Sequence, residues 1–389
     1  MKFTPVKDRI SYGGAMIGKA EVNAINKIIK SQGGRRWTVG PESVAFEKEL
    51  AEVTGVKRSV LTNSGSSALL IAITALHLPR GSKIIIPACN FPTAFNSIIQ
   101  AGHLPVIVDI DIKTLNMDLE EVKKAMKWHK DIKAIIAVDI AGNPVDLIEL
   151  RKIVGSKVKI ILDNCDGYGT TLLDRFIDAY ADISCISMHA AHIITMGEGG
   201  ACLTNDEELA NSCLKLREWG RASGTDKIYK YPGFPNDYKE RYVYEEIGYN
   251  MKPLELQCAM GRVQLKKLSN FKRLRQKNHN LLDKLIKDNP KFTLLKTLPN
   301  ASTCWFSFAM LCNVPRGKIM EELEKNNIEC RTIFSGNITK HPAYKNVEMI
   351  KIGDFDDADE VMKRGMFLSC HPSITPKMIK FMGETLCKI

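Results

Sequence analysis

The sequence predicts an α/β protein in which a large domain with a mostly parallel sheet precedes a smaller α+β domain. Through about the first 275 of its 389 residues, short apolar runs alternate with helical patterns, and no two-residue hairpin signal joins consecutive runs. This alternation is typical of parallel strands covered by helices on both faces. The pattern then changes, so we predict a large domain over residues 1–270 and a small one over 271–389. The sequence does not decide whether the N-terminal segment of the large domain packs on the small domain.

The predicted elements justify this division in chain order. For the large domain we predict helix 42–53, strand 58–62, helix 66–76, strand 83–86, helix 92–101, strand 104–108, helix 119–126, strand 133–138, helix 145–154, strand 158–162 and apolar runs 183–187 and 201–204. A long helix starting near Leu254 leads to strands 292–295, 305–311, 328–333 and 366–368 and helices 318–325 and 376–386. Ligands of such sheets bind beyond the carboxyl ends of the strands.

The chain is basic, with a formal net charge of +11, and its densest basic stretch is residues 266–277. The basic residues there alternate with Leu268, Phe271 and Leu274 at helical spacing. That spacing favours the solvated face of an amphipathic helix over a nucleic-acid site. A positive surface also suits an anionic small substrate such as a sugar diphosphate. We therefore predict no nucleic-acid partner.

The cysteines and the apolar runs indicate the compartment. Eleven cysteines are scattered without any Cys-x-x-Cys pair, which indicates reduced thiols rather than a disulfide framework or a zinc site. The N-terminus lacks the apolar core of a signal peptide, and no apolar run is long enough to span a bilayer. We expect a cytoplasmic protein with no membrane partner and no metal site.

Two loops that follow predicted strands carry candidate chemistry. The glycine-rich loop 188–200, which contains His192, lies between two apolar runs and lets a ligand approach the backbone at its glycines. Residues 63–69 open a helix, where Gly65 permits a tight turn and the hydroxyls of Ser66 and Ser67 can join free amides around a phosphate. A plain helix cap is the alternative for this second loop.

These segments resemble the DegT/DnrJ/StrS family of fold-type-I pyridoxal-phosphate enzymes, which act on nucleotide sugars. The family's pattern Ser-Phe-His-x-x-Lys-x-x-x-x-Gly-Glu-Gly-Gly matches the glycine-rich loop, with His192 at the position of the lysine. Its phosphate loop Ser-Gly-Thr-x-Ala-Leu matches Ser64-Gly-Ser-Ser-Ala-Leu69. The matches extend from about Trp37 to His371. The resemblance implies a fold-type-I architecture and a pyridoxal 5'-phosphate (PLP) or pyridoxamine 5'-phosphate (PMP) cofactor.

The resemblance also assigns roles to residues near the strand ends. Asp163 would face the ring nitrogen of the cofactor, where a carboxylate keeps the ring protonated, although capping a loop is its alternative role. Phe91 would stack on the ring. Asn250 would reach the phosphate of a neighbouring subunit, which implies a homodimer. In full, the implied cofactor-binding residues are Gly65, Ser66, Ser67, Phe91, Asp163, Asp166, Ser187 and Asn250, and the implied substrate-binding residues are Trp37, Trp219, Arg331, Asn337 and His371.

Histidine in place of lysine determines the predicted chemistry. The loop most closely resembles the nucleotide-sugar 3-dehydratase branch of the family, which has GDP-sugar and CDP-sugar members. Imidazole cannot tether the cofactor covalently but can transfer a proton near neutral pH, and no lysine occurs between Lys159 and Lys215. The resemblance therefore implies noncovalently bound PMP or PLP and glutamate as the amino donor. His192 would be the acid–base catalyst that removes the C3 hydroxyl of a GDP- or CDP-linked 4-keto-6-deoxyhexose.

The CDP-sugar members carry a two-iron cluster on four cysteines, three of them soon after a Trp-Gly-Arg segment. This chain keeps Cys165 at the first position but has no cysteine from Trp219 to Tyr249, so we expect no iron–sulfur cluster. The GDP-sugar members have a histidine where this chain has Trp219, which leaves the nucleotide and the hexose open. Two other interpretations stay open: a nucleotide-sugar aminotransferase, and a cofactor-binding protein on an inactive enzyme fold.

Overall fold

A computed structural model describes residues 3–32 and 37–389. The helices are α1 Lys19–Gln32, α2 Pro41–Thr54, α3 Gly65–Thr74, α4 Pro92–Gln100, α5 Leu119–Trp128, α6 Leu147–Val154, α7 Glu207–Arg217, α8 Glu255–Leu265, α9 Leu268–Ile286, α10 Arg316–Lys325, α11 Asp356–Arg364 and α12 Pro376–Lys388. The strands are β1 Arg58–Thr62, β2 Lys83–Pro87, β3 Leu104–Val108, β4 Ile132–Val138, β5 Lys159–Asp163, β6 Thr171–Leu172, β7 Arg175–Phe176, β8 Ile183–Ser187, β9 Gly200–Thr204, β10 Phe292–Leu294, β11 Ala301–Ser302, β12 Ser307–Cys312, β13 Arg331–Thr332, β14 Ile350–Lys351 and β15 Gly365–Ser369.

The central sheet has eight strands in the order β1-β9-β8-β5-β4-β2-β3-β14. Strand β9 runs antiparallel to β1 and β8, because the chain returns directly from β8 through the glycine-rich loop. The other neighbouring strands are parallel. The central strands are buried on both faces, which is why they read as continuous apolar runs. The predicted α/β class with a mostly parallel sheet is confirmed.

The C-terminal part of the chain forms a smaller antiparallel sheet in the order β10-β12-β15-β13, with α9 and α12 packed together beside it. The predicted strand 328–333 is shorter than expected, since only Arg331–Thr332 pairs with β15. Ile328 instead pairs with Ile10, so the N-terminal segment lies against this part of the molecule. The proposed division at residue 270 falls inside α9 and stays a prediction.

The predicted long helix after Leu254 is two helices, α8 and α9, with a break at Lys266 and Lys267. At this break Gln264 and Lys267 both bind the buried carboxylate of Glu21 in α1. A charged side chain is rarely buried without partners. We infer that this shared acceptor holds the turn between the helices in place.

Helix α2 begins on a carboxylate from a distant part of the chain. Glu255, the first residue of α8, is fully buried and accepts hydrogen bonds from the backbone amides of Gly40, Glu42 and Ser43 at 2.9, 2.8 and 3.0 Å. The first amides of a helix have no acceptor within the helix. Glu255 therefore caps α2 and joins it to α8.

Strand β14 extends the central sheet although it comes from the C-terminal part of the chain. It pairs in parallel with β3, and the Ile352 amide donates to the Ile107 carbonyl at 2.9 Å. The carboxylate of Asp109, just after β3, accepts from the amides of Asp357 and Ala358 at 3.1 and 3.0 Å. Segment 350–358 of the C-terminal part is thus held on the central sheet by hydrogen bonds.

Among the helices of the described residues, none combines the length and the apolar composition that crossing a bilayer requires.

Candidate active site

A cavity of about 520 Å³ lies at the carboxyl ends of the central strands. Parallel strands end at a common edge, so the loops after β1, β2, β4, β5 and β8 meet there. The predicted site residues that line it are Gly65, Ser66, Phe91, Asp163, Asp166, Ser187, His192 and Arg331. Residues far apart in sequence are therefore brought to one place.

The N-terminus of α3 forms one end of the cavity. Ser64 caps the helix by accepting from the Ser67 amide at 3.1 Å, so the amides of Gly65 and Ser66 have no acceptor within the helix. Helix N-termini with free amides favour anions. Ser187 lies beside them, and a methyl group at Gly65 would come within 2.7 Å of its Cβ atom. Only glycine at this position leaves the space open.

Ser67 takes part in the hydrogen bonds that cap α3. Its hydroxyl donates to the Asn63 side chain at 2.6 Å and receives the Ser64 hydroxyl at 2.9 Å. These bonds belong to the helix cap, and the side chain lies outside the cavity lining. A direct contact of Ser67 with a cofactor stays a prediction.

Two acidic side chains form the floor of the cavity after β5. Asp163 is buried, and its carboxylate accepts from the Cys165 amide at 3.3 Å. Burial raises the pKa of Asp163 above its usual range. Burial, followed by the charge of Asp163, raises the pKa of Asp166 to about 8. Any cationic group that binds above Asp163 would be stabilised by its carboxylate.

His192 stands opposite these acids in the glycine-rich loop. Its Nδ1 atom lies 2.5 Å from the Cys165 carbonyl oxygen, which can only accept, so Nδ1 carries the proton and Nε2 has a free lone pair. Burial lowers the pKa of His192 to about 4. The imidazole is thus neutral at neutral pH and can act as a base through Nε2.

Arg275 in α9 supports the loop that contains His192. This side chain belongs to the basic stretch that we expected to face solvent, yet it is buried. Its guanidinium donates to the carbonyls of Trp305 and Phe306 at 3.1 and 2.8 Å and to the His192 carbonyl at 3.5 Å. The solvated-face expectation is therefore wrong for Arg275, because three backbone acceptors replace water around it.

Besides the predicted Phe91, the outer wall of the cavity contains Tyr12, Phe306 and Phe334, which were not predicted as site residues. Tyr12 packs its ring 4.8 Å from the Arg331 guanidinium, which also forms an ion pair with Glu329. Phe306 lies 5.3 Å from the His192 ring, and Phe334 stands edge-on to Phe91 at 6.1 Å. Phe91 keeps 53% of its surface exposed, so its ring can cover a planar ligand.

Three predicted site residues lie near the surface and outside the cavity lining. Trp219 carries two cations on its ring, with Lys252 Nζ at 3.3 Å and the Arg221 guanidinium at 4.7 Å. Asn250 accepts a hydrogen bond from Lys252 at 2.6 Å. The backbone carbonyl of Trp37 accepts from the Glu255 amide at 2.8 Å. Their roles in ligand binding stay predictions.

Asn337 and His371 are buried in the C-terminal part of the fold. Asn337 donates to the Asp359 carboxylate at 2.7 Å and accepts from the Thr339 amide at 3.0 Å, so its side chain serves the local turn. His371 shares a small void with His192, and its Nδ1 atom lies 2.7 Å from the Ser373 hydroxyl. Their contacts with a substrate also stay predictions.

The lining fits a planar, phosphorylated and cationic ring such as PLP. Free amides at Gly65 and Ser66 match a phosphate, the buried Asp163 carboxyl matches a protonated ring nitrogen, and the exposed Phe91 ring can cover a flat ring. None of the described residues that line the cavity is a lysine. Within residues 3–32 and 37–389, no group of three His, Cys, Asp or Glu side chains could hold a metal ion.

Comparison with known proteins identifies one family and several relatives of this chain. Residues 15–386 match the DegT/DnrJ/EryC1/StrS aminotransferase family. GDP-4-keto-6-deoxy-D-mannose 3-dehydratase of Yersinia pseudotuberculosis is 33% identical over 95% of both chains. dTDP-4-dehydro-2,6-dideoxy-D-glucose 3-dehydratase of Saccharopolyspora spinosa is 32% identical over 91% of this chain and 81% of its own length. Aminotransferases are more distant: dTDP-4-dehydro-2,3,6-trideoxy-D-glucose 4-aminotransferase of the same organism is 26% identical.

Solved structures of GDP-4-keto-6-deoxymannose 3-dehydratase share the fold. The Escherichia coli enzyme with bound hydrated PLP superposes with a TM-score of 0.90 and 31% identity, over 97% of this chain and 100% of that chain. A structure with a trapped PLP-glutamate geminal diamine has the same TM-score and coverage at 30% identity. The architecture is therefore that of a fold-type-I PLP enzyme. By sequence and by structure, the chain belongs to the DegT/DnrJ/EryC1/StrS aminotransferase family.

Proposed function

We propose that this protein is a PLP/PMP-dependent 3-dehydratase, a lyase that removes the C3 hydroxyl of a nucleotide-linked 4-keto-6-deoxyhexose. The observation that carries the proposal is the neutral imidazole of His192, whose free Nε2 atom belongs to a cavity without a lysine among its described lining residues. Relatives that are 32–33% identical are named as 3-dehydratases of GDP- and dTDP-linked sugars. We infer that the protein serves deoxysugar synthesis for polysaccharides such as lipopolysaccharide.

The proposed roles follow from the position of each group. PMP, when bound, supplies an amine that condenses with the substrate ketone and a ring that accepts electrons. Gly65, Ser66 and Ser187 hold its phosphate, and Asp163 keeps its ring nitrogen protonated. His192 accepts a proton at Nε2, and the Cys165 carbonyl keeps the imidazole oriented by binding Nδ1.

Further partners belong to the same proposal. The substrate is a GDP- or CDP-linked sugar. A dTDP-linked sugar is a third candidate, because one relative is named for a dTDP-linked substrate. Arg331 binds its anionic part, and the Tyr12 ring beside the guanidinium fixes the direction of the Arg331 side chain. Glutamate regenerates the amine form. A homodimer would bring Asn250 and the cationic Trp219 surface of one subunit to the site of its partner.

The decisive experiment incubates the purified protein with PLP, glutamate and a panel of GDP-, CDP- and dTDP-linked 4-keto-6-deoxyhexoses. We expect ammonia and a 3-deoxy-4-keto sugar from at least one substrate, measured by coupled ammonia detection and mass spectrometry. An aminosugar without ammonia would identify an aminotransferase instead. No reaction with any sugar, together with tight PLP binding, would identify a binding protein and contradict the proposal.

Noncovalent cofactor binding gives a second expected result. Borohydride reduces a PLP–lysine linkage to a stable adduct, so treatment of the PLP-loaded protein should leave its mass unchanged. The His192→Lys variant provides the matched control, because it places an amine in the cavity and should gain the mass of reduced PLP. An adduct on any lysine of the unmodified protein, located by peptide mapping, would show that the noncovalent assignment is wrong.

A further inference from the structure

His192 and Asp166 lie next to each other in the cavity lining. The His192 Nδ1 and Asp166 Oδ1 atoms are 4.0 Å apart, and the two side chains keep only 18% and 12% of their surface exposed. Each side chain is fixed by one backbone bond: Nδ1 by the Cys165 carbonyl at 2.5 Å, and Asp166 Oδ2 by the Ala141 amide at 3.1 Å. His192 Nε2 and Asp166 Oδ1 form no hydrogen bond within the described part of the chain. They remain available to a ligand.

Burial, together with the surrounding charges, sets opposite protonation states for the two groups. Asp166 faces the carboxyl of Asp163 after β5 and the guanidinium of Arg275 in α9, while His192 faces His189 in its own loop and the same guanidinium. Burial is the main cause of both shifts, to about 8 for the pKa of Asp166 and to about 4 for that of His192. Between about pH 4 and pH 8, His192 is therefore unprotonated and can act as a base, while the neighbouring Asp166 is protonated and can act as an acid. Such a separation commonly marks an acid/base pair.

We infer that Asp166 is the second proton-carrying residue of the site: it gives its proton to the departing hydroxyl while His192 takes a proton from carbon. This inference rests on the proposed function and extends it, because His192 no longer has to perform both transfers. A single imidazole that accepts a proton at Nε2 must release it again before it can act as an acid. With Asp166 in the same cavity, the two transfers can occur without that delay.

The proton balance closes within the pair. The carbon–hydrogen bond breaks and its proton binds His192 Nε2. The bond between C3 and oxygen breaks with its electrons on oxygen, and the Asp166 proton joins that oxygen to form water. The pair has then changed from two neutral groups into an imidazolium and a carboxylate about 4 Å apart, which attract each other. Return of one proton from His192 to Asp166 restores the starting state.

Three other acidic groups of the lining are less suited to this role. Asp163 must stay ionised to stabilise a cationic ring. The carboxyl of Asp139 accepts from the Val145 amide at 2.9 Å, and its second oxygen is buried without a partner in the described structure. The thiol of Cys165 has a pKa well above its usual range because of burial and the nearby aspartates. Asp166 is the member of this set with a free oxygen facing His192.

The first test uses the protein without substrate. Infrared spectroscopy across pH should show a protonated carboxyl band that disappears with a midpoint near pH 8, the pKa of Asp166. The band should be absent from Asp166→Asn and retained in Asp139→Asn, a matched replacement of a neighbouring buried acid. A band with this midpoint that persists in Asp166→Asn, or no such band in the unmodified protein, would overturn the assignment.

The second test measures turnover of the Asp166→Asn variant with the sugar identified by the panel. The new side-chain amide can still accept from the Ala141 amide but has no acidic proton to transfer, so kcat should fall about 10²-fold. The loss of kcat should persist at saturating PLP, and the loss of activity above pH 8 should vanish from the profile. An active Asp166→Asn enzyme with the original kcat and pH profile would overturn the donor role alone. Lack of turnover in the unmodified protein would overturn the proposed function as well.

Discussion

Replacing His192 by asparagine should lower kcat for the nucleotide sugar by about 10³-fold, within the range of general acid–base effects. In the unmodified protein, His192 Nδ1 lies 2.5 Å from the Cys165 carbonyl oxygen. The side-chain amide of asparagine can occupy the position of Nδ1 and still donate a hydrogen bond to this carbonyl. It has no counterpart of Nε2, so the variant loses the proton acceptor and keeps the shape of the cavity. Turnover should be followed by ammonia release, and cofactor retention by the absorbance of bound PLP.

The control for this replacement is His129→Asn, which changes a histidine next to Lys83, outside the cavity lining. That variant should keep the original kcat. In the unmodified enzyme, activity should also fall at acid pH, because protonation of His192 near its pKa of about 4 removes the base. A His192→Asn enzyme that binds PLP and turns over at the original rate would contradict the assignment of His192 as the base.

Replacing Glu255 by alanine should lower the free energy of unfolding by about 3–5 kcal/mol, the largest stability effect that we expect in this chain. The carboxylate accepts from three backbone amides at the start of α2, and the residue is fully buried. An alanine leaves these donors without an acceptor and opens a space that water cannot fill with the same geometry. Urea denaturation followed by circular dichroism gives the measurement.

The matched control is Glu52→Ala on α2, whose carboxylate is exposed and pairs with Lys48 at 3.7 Å. Exposed ion pairs contribute about 0–1 kcal/mol, so this variant should unfold almost as the original protein does. Equal stabilities of Glu255→Ala and Glu52→Ala would mean that the buried carboxylate does not hold the start of α2. The Glu255→Gln variant should fall between them, because its amide oxygen can replace part of the acceptor.

The site residues at the carboxyl ends of strands could be predicted from the sequence. Asp163 and Ser187 end buried strands, and Gly65 and Ser66 open the helix that follows β1. In each case an apolar run predicts the strand. Ligands of such sheets bind beyond the carboxyl ends of the strands, so the position of the site residue can be predicted as well. The local pattern and the three-dimensional site therefore agree for this half of the cavity.

The opposite wall could not be predicted in the same way. Tyr12 reaches the cavity because Ile10 pairs with Ile328, a contact between distant segments that leaves no local pattern. Arg275 has the same helical spacing as its exposed neighbours, and only the carbonyls of Trp305 and Phe306 distinguish it. Positions that depend on long-range contacts are not encoded in the periodicity of one segment.

The position of β14 limits how the cavity can exchange ligands. A hinge rotation of the C-terminal sheet that carried β14 and α11 with it would have to detach β14 from β3 and remove the Asp357 and Ala358 amides from the Asp109 carboxylate. We therefore expect substrates and products to pass while β14 stays paired with β3. We expect the movements that admit them to be those of side chains and loops that line the cavity, such as Phe91, Phe334 and Tyr12.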